Sequence, residues 1–178
     1  MKRLECSISL DKTGGKARIL VISDSHGDAR SVRRAVKQAG SIDWLIHCGD
    51  VEGDLYSHLP EPPAYAVVSV RGNCDYSKSP DEIVIKAGYY RIYVTHGDHF
   101  SVHQNSDRLL AKAKSEFADI ALYGHIHVPE IEERDGILIV NPGSLSRPRQ
   151  YPRVPTYAIL TISEDELPKA EIFELSDE

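Results

Sequence analysis

The stretch RILVISDSHGDARSVRRAVKQAGSIDWLIHCGD, residues 18–50, decides the fold. RILVIS (18–23) is apolar, rich in β-branched residues and continuous, as a strand is when both of its faces are covered. In DARSVRRAVKQAG (28–40), Val32, Ala35, Val36 and Ala39 recur at i, i+3, i+4 and i+7, the stripe of an amphipathic helix. Asp28 stands at the N-cap position and Gly40 where the helix stops. DWLIHC (43–48) is a second apolar strand. Strand, helix and strand within about 30 residues make a βαβ unit with a parallel pair.

Outward from this unit, the same patterns predict a short helical piece at 53–59 ended by PEPP, and a third strand at AYAVVSV (64–70). EIVIKA and YRIYVT, joined around Gly88, read as a hairpin. NSDRLLAKAKSEF reads as a second main helix, with Leu109, Leu110, Ala113 and Phe117 on one side and Ser106 as cap. DIALY, GILIV, TYAILTI and KAEIFEL read as strands, and the acidic runs EIEERDG and SEDELP as solvated loops or turns. The expected class is α/β, with two packed mixed β-sheets flanked by helices. Residues 1–17 read as an extension ahead of a single domain over 18–178, with Gly14-Gly15 as the break.

Composition narrows the function. The 178 residues suffice for one domain with a proper core. A hydrophobic share of 41% excludes a disordered chain. No apolar run approaches the ~20 residues of a membrane span, and the basic start lacks the apolar stretch of a signal peptide. Cys6, Cys48 and Cys74, an odd and sparse set, read as reduced thiols, and a cytoplasmic location is expected. A net charge of −6 gives no general attraction for long nucleic acid or an anionic membrane.

Six of these strands end in residues that carry chemistry. Asp24-Ser25-His26 follows ILVIS, Gly49-Asp50 follows LIHC, and Gly72-Asn73 follows VVSVR. His96 follows IYVT, His125-Ile126-His127 follows IALYG, and Asn141-Pro142-Gly143-Ser144 follows ILIV. Ligands of open α/β sheets bind at the carboxyl ends of strands, so these groups are expected in one crevice. Two carboxylates, four imidazoles and an amide oxygen suit Mn²⁺, Fe, Zn²⁺ or Mg²⁺ better than a soft-metal cage. Seven ligands exceed what one open catalytic ion needs and match two ions with a bridging carboxylate. In extended backbone the i, i+2 spacing of Asp24/His26 and of His125/His127 puts both side chains on one face, as a shared metal centre requires.

In this order, DSH at 24–26, GD at 49–50, GN at 72–73, His96 and GHIH at 124–127 resemble the signature of the calcineurin-like metallophosphoesterases. The resemblance spans about 18–162, and NPGS at 141–144 is similar to the small bacterial and archaeal phosphodiesterase branch. It implies a four-layer sandwich of two sheets between helices. It also implies two divalent ions, Mn²⁺ first, with Zn²⁺, Fe, Ni²⁺ or Mg²⁺ as alternatives. Asp24, His26 and His127 would hold one ion, Asn73, His96 and His125 the other, and Asp50 would bridge them. A metal-bridging hydroxide would attack the phosphorus of a small phosphodiester. A branch resembling the retromer scaffold subunit keeps the fold but works by holding partners, so a non-catalytic scaffold is the competing function.

Cys74 stands where many of these relatives carry a histidine thought to protonate the leaving group, and Asp75 where they carry the acid that orients it. Three readings of Cys74 stand: a weak substitute acid, a small apolar filler, or a thiolate ligand. THGD departs from the branch's His-Gly-His, which leaves Asp98 as an orienting partner or a turn residue. His47 and Cys48 read as core, His58 as surface, and His99 and His103 as crevice or solvent-facing residues. Ser144, Arg147 and Arg149 follow the sheet, and one of the arginines could contact phosphate. Exposed aromatics such as Tyr89, Tyr90 and Tyr151 would allow a homodimer.

Overall fold

The computed structural model describes residues 1–10, 14–60 and 63–176. Its strands are β1 (Arg3–Ile8), β2 (Lys16–Ile22), β3 (Trp44–His47), β4 (Ala66–Ser69), β5 (Glu82–Ala87), β6 (Tyr90–Thr95), β7 (Ile120–Leu122), β8 (Pro129–Arg134), β9 (Ile137–Pro142), β10 (Thr156–Ser163) and β11 (Lys169–Glu174). The helices are α1 (Ala29–Ala39), α2 (Leu55–His58) and α3 (Asp107–Ser115). Among the described residues the strands form a six-stranded sheet, β1-β5-β6-β7-β9-β8, and a five-stranded sheet, β11-β10-β2-β3-β4. Both are mixed.

The continuous apolar strands are explained by burial on both faces. In β2, Ile19 and Val21 point between the sheets, where they meet Ile83, Ile85, Ile92, Val94, Leu122 and Leu160. Leu20 and Ile22 point the other way, onto Val32, Ala35, Val36 and Ala39 of α1. On the far side, Val84, Tyr93, Ala121 and Ile139 pack against Leu109, Leu110 and Ala113 of α3. The result is the four-layer order helix, sheet, sheet, helix. Asp28 caps α1 by accepting the Ser31 N–H at 3.0 Å, and Gly40 ends it at φ 71°.

Several local expectations need correction. Residues 3–8, within the presumed extension, form β1, which pairs in parallel with β5 from Arg3↔Glu82 to Ile8↔Ala87; residues 11–13 of that stretch lie outside the described residues. EIEER is edge strand β8, antiparallel to β9; its alternation is weak because one edge and one face meet water. Ser106 gives α3 no side-chain cap; its hydroxyl accepts from Arg134 Nη1 at 2.9 Å instead. Phe117 falls beyond α3 at φ 54° and is 82% exposed. Tyr90 is half-buried and donates to the Glu166 carbonyl, whereas Tyr89 and Tyr151 are exposed. Glu61 and Pro62 of the PEPP stop lie outside the described residues.

Strand direction positions the site. β2, β3 and β4 run parallel, as do β6, β7 and β9. Their ends are level, with Ile22, His47 and Ser69 in register in one sheet and Val94, Leu122 and Val140 in the other. These six strands are the ones followed by DSH, GD, GN, His96, GHIH and NPGS.

Candidate metal centre

The loops leaving the six strands are laced together by backbone hydrogen bonds. Asp24 N–H donates to Gly49 O at 3.0 Å, His26 N–H to Asp50 O at 3.0 Å, and Gly124 N–H to His96 O at 3.0 Å. The Leu145 N–H donates to Ser23 O at 3.2 Å and so ties one sheet's loops to the other's. The ligand-type residues are not extended, contrary to the spacing expectation. Asp24, His26, Asp50, His125 and His127 all have positive φ, between 44° and 71°. Such left-handed backbone at non-glycine residues costs energy and persists where the surroundings hold it, most often at functional sites.

Two glycines are required by contact. A Cβ on Gly72 would lie 2.1 Å from Asp50 Oδ1, and one on Gly124 would lie 2.0 Å from Ser23 Oγ and 2.7 Å from Asp24 Oδ2. The GN and GHIH glycines therefore let backbone pass directly over the two carboxylates.

The side chains converge on a compact set of bare acceptors. His127 Nε2 lies 3.0 Å from Asp24 Oδ1 and 3.4 Å from His26 Nε2. His96 Nε2 lies 3.1 Å from Asn73 Oδ1 and 3.5 Å from Asp50 Oδ2. Asp50 Oδ2 also lies 3.9 Å from His26 Nε2, between the two halves. The rings of His96 and His125 meet edge to face, 5.1 Å apart. Asp24, His26 and His127 bring ligand atoms within 4.8 Å of one another, as do Asp24, Asp50 and His96.

Tautomers follow from the partners. His96 Nδ1 faces the Cys48 carbonyl at 2.8 Å, His127 Nδ1 the Arg147 carbonyl at 2.8 Å, and His26 Nδ1 the Glu52 carboxylate at 2.6 Å. These oxygens only accept, so each Nδ1 carries a proton and each Nε2 is the ring nitrogen turned inward. Partners of this kind orient metal-ligating histidines. The fully buried Asp24 Oδ1 accepts no hydrogen bond. A buried carboxylate oxygen and facing imidazole nitrogens need a cation between them. The donor set thus fits divalent metal.

The electrostatics agree. Burial alone would raise the pKa of Asp24, but His127, His96 and Ser23 more than offset it and hold the group ionised. Burial works against Asp50 as well, and its contacts with His96 and the Cys74 N–H depress its pKa. Burial would lower His96, yet the bond to Asp50 and the charges of Asp24 and Asp50 raise it to about 9. Without metal, a proton takes the place on His96 that a cation would fill.

Asp75 does not orient Cys74. Its Oδ2 accepts from Asp50 N–H at 2.9 Å and Gly72 N–H at 2.9 Å, and its Oδ1 from Glu52 N–H at 2.8 Å. It is a buried clamp that joins the GD loop to the GN loop. Cys74 is half-buried and lies in the cleft, its Sγ near His26 and Asp50 and 3.3 Å from Asn73 Nδ2. Burial, then Asp50 and the charge of Glu52, pushes its thiol up to about 11, so it is protonated at neutral pH.

His47 is buried and neutral; burial pushes its pKa down to about 3, and it bonds Ser25 Oγ at 2.9 Å. Cys48 is fully buried, and burial raises its pKa strongly. Asp98 lies 3.5 Å from its neighbour His99 in a 3₁₀ turn. His103 walls a neighbouring cleft beside His125. Glu52, the partner of His26, and Arg153, in the cleft wall, were not singled out by sequence. Their only signal is proximity in the fold. Ser144 Oγ and Ser146 Oγ both donate to Asp24 O, at 2.8 and 3.0 Å, and Asn141 donates to Gly124 O.

Fold and centre together define a metallophosphoesterase-type protein. Residues 18–165 match the family model of the calcineurin-like phosphoesterase superfamily domain, and the chain belongs to that family. It is 38% identical over 149 residues to the probable metallophosphoesterase YsnB of Bacillus subtilis, covering 83% of this chain and 85% of that protein. It is 30% identical over 159 residues to the phosphodiesterase YfcE of Escherichia coli K12, covering 74% and 81%. Among solved structures, a phosphoesterase-like protein of Streptococcus pneumoniae TIGR4 superposes with TM-score 0.71 at 34% identity, covering 89% of this chain and 98% of that one. Vps29 of Entamoeba histolytica, at TM-score 0.69 and 24% identity over 89% and 99%, shares the fold. No helix among the described residues is long and apolar enough to cross a membrane.

Proposed function

We propose that the protein is a two-metal phosphodiesterase of small phosphodiesters. The observation that carries this is the convergence of the inward Nε2 atoms of His26, His96 and His127 around Asp24 and Asp50, with every opposite Nδ1 committed to an acceptor. Asp24, His26 and His127 would hold one ion, Asn73, His96 and His125 the other, and Asp50 would face both. Bound divalent ions would supply Lewis acidity to phosphoryl oxygens and hydroxide at neutral pH. Mixed imidazole, amide and carboxylate donors accept Mn²⁺, Zn²⁺, Fe, Ni²⁺ or Mg²⁺, and the family resemblance puts Mn²⁺ first.

The chain's own residues shape which esters react. Cys74 places a protonated thiol at the cleft wall, beside Asn73 and Tyr76. With a pKa of about 11 it is a poorer proton donor than histidine, so it suits leaving groups that depart without much protonation. That favours activated diesters over alkyl monoesters. The overall charge of −6 favours small substrates over long duplexes.

The test is hydrolysis of bis-p-nitrophenyl phosphate beside p-nitrophenyl phosphate, after chelation and reloading with Mn²⁺, Zn²⁺, Mg²⁺ or Ni²⁺. Metal-dependent turnover that favours the diester and disappears in Asp50→Ala is expected. Two bound ions with no turnover on either ester would overturn the proposal in favour of a scaffold.

A further inference from the structure

We infer that Arg147, Arg149 and Arg153 form a receptor for a second phosphate, so that the substrate carries a phosphoryl group beyond the one cleaved. This rests on the phosphodiesterase reading for the reaction, but its geometry is independent of it. The three arginines line the same open cleft, of about 540 Å³, as His26, Asp50, Cys74 and His127. That volume accommodates a nucleotide-sized ligand.

All three arginines are exposed. Among the described residues Arg149 and Arg153 make no side-chain ion pair or hydrogen bond. Arg147 Nη1 comes no closer than 3.9 Å to Glu52 Oε1, an oxygen already bonded to His26 Nδ1. Three cations at one cleft repel one another until an anion enters. In a chain of net charge −6, this local excess is not a general surface property.

The loop that carries them is fixed to the metal centre. The Arg147 carbonyl accepts from His127 Nδ1 at 2.8 Å, and the Arg149 N–H donates to the His127 carbonyl at 3.0 Å. The Arg147 N–H donates to Ser144 Oγ at 2.8 Å, while that hydroxyl and Ser146 Oγ both donate to Asp24 O. Gln150 Nε2 closes the loop onto Val154 O at 2.5 Å. The backbone that carries Arg147 and Arg149 is therefore held against Asp24 and His127, which keeps both arginines beside the centre as a two-point recognition site requires.

One phosphodiester carries a single negative charge, and the centre itself already attracts it. Three more forks of hydrogen-bond donors match a further phosphate, which arginine binds bidentately. Arg149 also walls the neighbouring cleft with His103, His125 and Ile126, which places the second phosphate on that flank. Cys74 borders both the arginine cleft and the one walled by Tyr76, and the leaving group would sit on the Tyr76 side. The substrate class is a small phosphodiester with a second phosphoryl group, as in a dinucleotide that carries a terminal phosphate.

Binding measures this without turnover. The affinities of Mn²⁺-loaded full chain for thymidine 3′,5′-bisphosphate and thymidine 5′-monophosphate are compared by calorimetry, for wild type and for R149Q/R153Q. A wild-type preference of about tenfold or more for the bisphosphate, falling below about threefold in the variant, is expected from charge-assisted hydrogen bonds. Equal affinities in wild type, or an undiminished preference in the variant, would overturn the receptor. Should the variant fail to fold, the wild-type preference at 50 and 500 mM NaCl decides instead. Screening must shrink it, and a salt-independent preference refutes the assignment. Turnover of bis-p-nitrophenyl phosphate is scored separately. Its absence refutes the enzyme while leaving a measured bisphosphate preference in place.

Discussion

Asp75→Asn separates the clamp from the general-acid partner that the sequence suggested. The carboxylate accepts three backbone N–H groups, two at Oδ2 and one at Oδ1. An asparagine oriented with its oxygen at the Oδ2 position keeps two of these bonds. Its amide NH₂ then faces the Glu52 N–H, donor against donor, at a buried site. One unsatisfied buried donor costs about 1–3 kcal/mol. With a urea slope of about 2 kcal/mol/M, a cost of ~2 kcal/mol lowers the unfolding midpoint by roughly 1 M. The same change loosens the loops that carry Asp50 and Asn73, so metal affinity should fall and turnover of all esters should drop together. Urea melts monitored by circular dichroism, Mn²⁺ titration, and rates across leaving groups of graded acidity read these effects. A variant as stable as wild type, with unchanged metal affinity and a defect confined to poor leaving groups, would refute the clamp and restore Asp75 as an orienting acid partner.

Four further outcomes are expected. Gly72→Ala brings a Cβ to 2.1 Å from Asp50 Oδ1, so Mn²⁺ affinity measured by calorimetry should fall at least tenfold, while Gly136→Ala, which strains the backbone at φ 76° but meets no neighbouring atom, should cost stability and leave the affinity unchanged. Cys74→His should raise kcat most for alkoxide leaving groups and least for p-nitrophenolate, as a steeper dependence on leaving-group pKa in the wild type would show. His47 stays neutral in the fold down to about pH 3 but titrates near 6.5 when unfolded. Its contribution is therefore complete above pH 6.5 and is lost as pH falls from 6.5 toward 3, at up to about 1.4 kcal/mol per pH unit. His47→Gln should flatten that part of a stability–pH curve measured by urea melts. Finally, Mn²⁺ at 100 times its dissociation constant should stabilise the chelated protein by about 2.7 kcal/mol. That corresponds to a rise of roughly 5–10 °C in a thermal melt, and no rise would argue against a formed metal site.

Much of the architecture was legible because it depends on near neighbours in the chain. The period of Val32, Ala35, Val36 and Ala39, the cap Asp28 and the stop Gly40 are local, and α1 follows them. The unbroken apolar run of β2 reports burial on both faces, which the two opposite clusters explain. The residue types at six strand ends were visible too, since strand ends can be read within a few residues. β1 was not legible, because its reason to be a strand is a parallel partner about 79 residues away. β8 was obscured for a different reason. At an edge, with polar residues on its open face, it shows little apolar period.

By itself, the sequence determined most of the elements, among them the six strands whose carboxyl ends carry the donor atoms. Only the tertiary structure decided how those donors face one another. It brings Asp24 to His127 across 103 positions and lays Asp75 over the Asp50 and Glu52 amides. It also sets the arginine loop on the same histidine. Spacing suggested extended pairs, yet five of the seven ligand-type residues adopt left-handed backbone, held by hydrogen bonds between loops from different strands. The physical reason is range. Periodicity and capping act over a few residues of one segment, whereas the centre is made by contacts between segments that meet only after both sheets have packed.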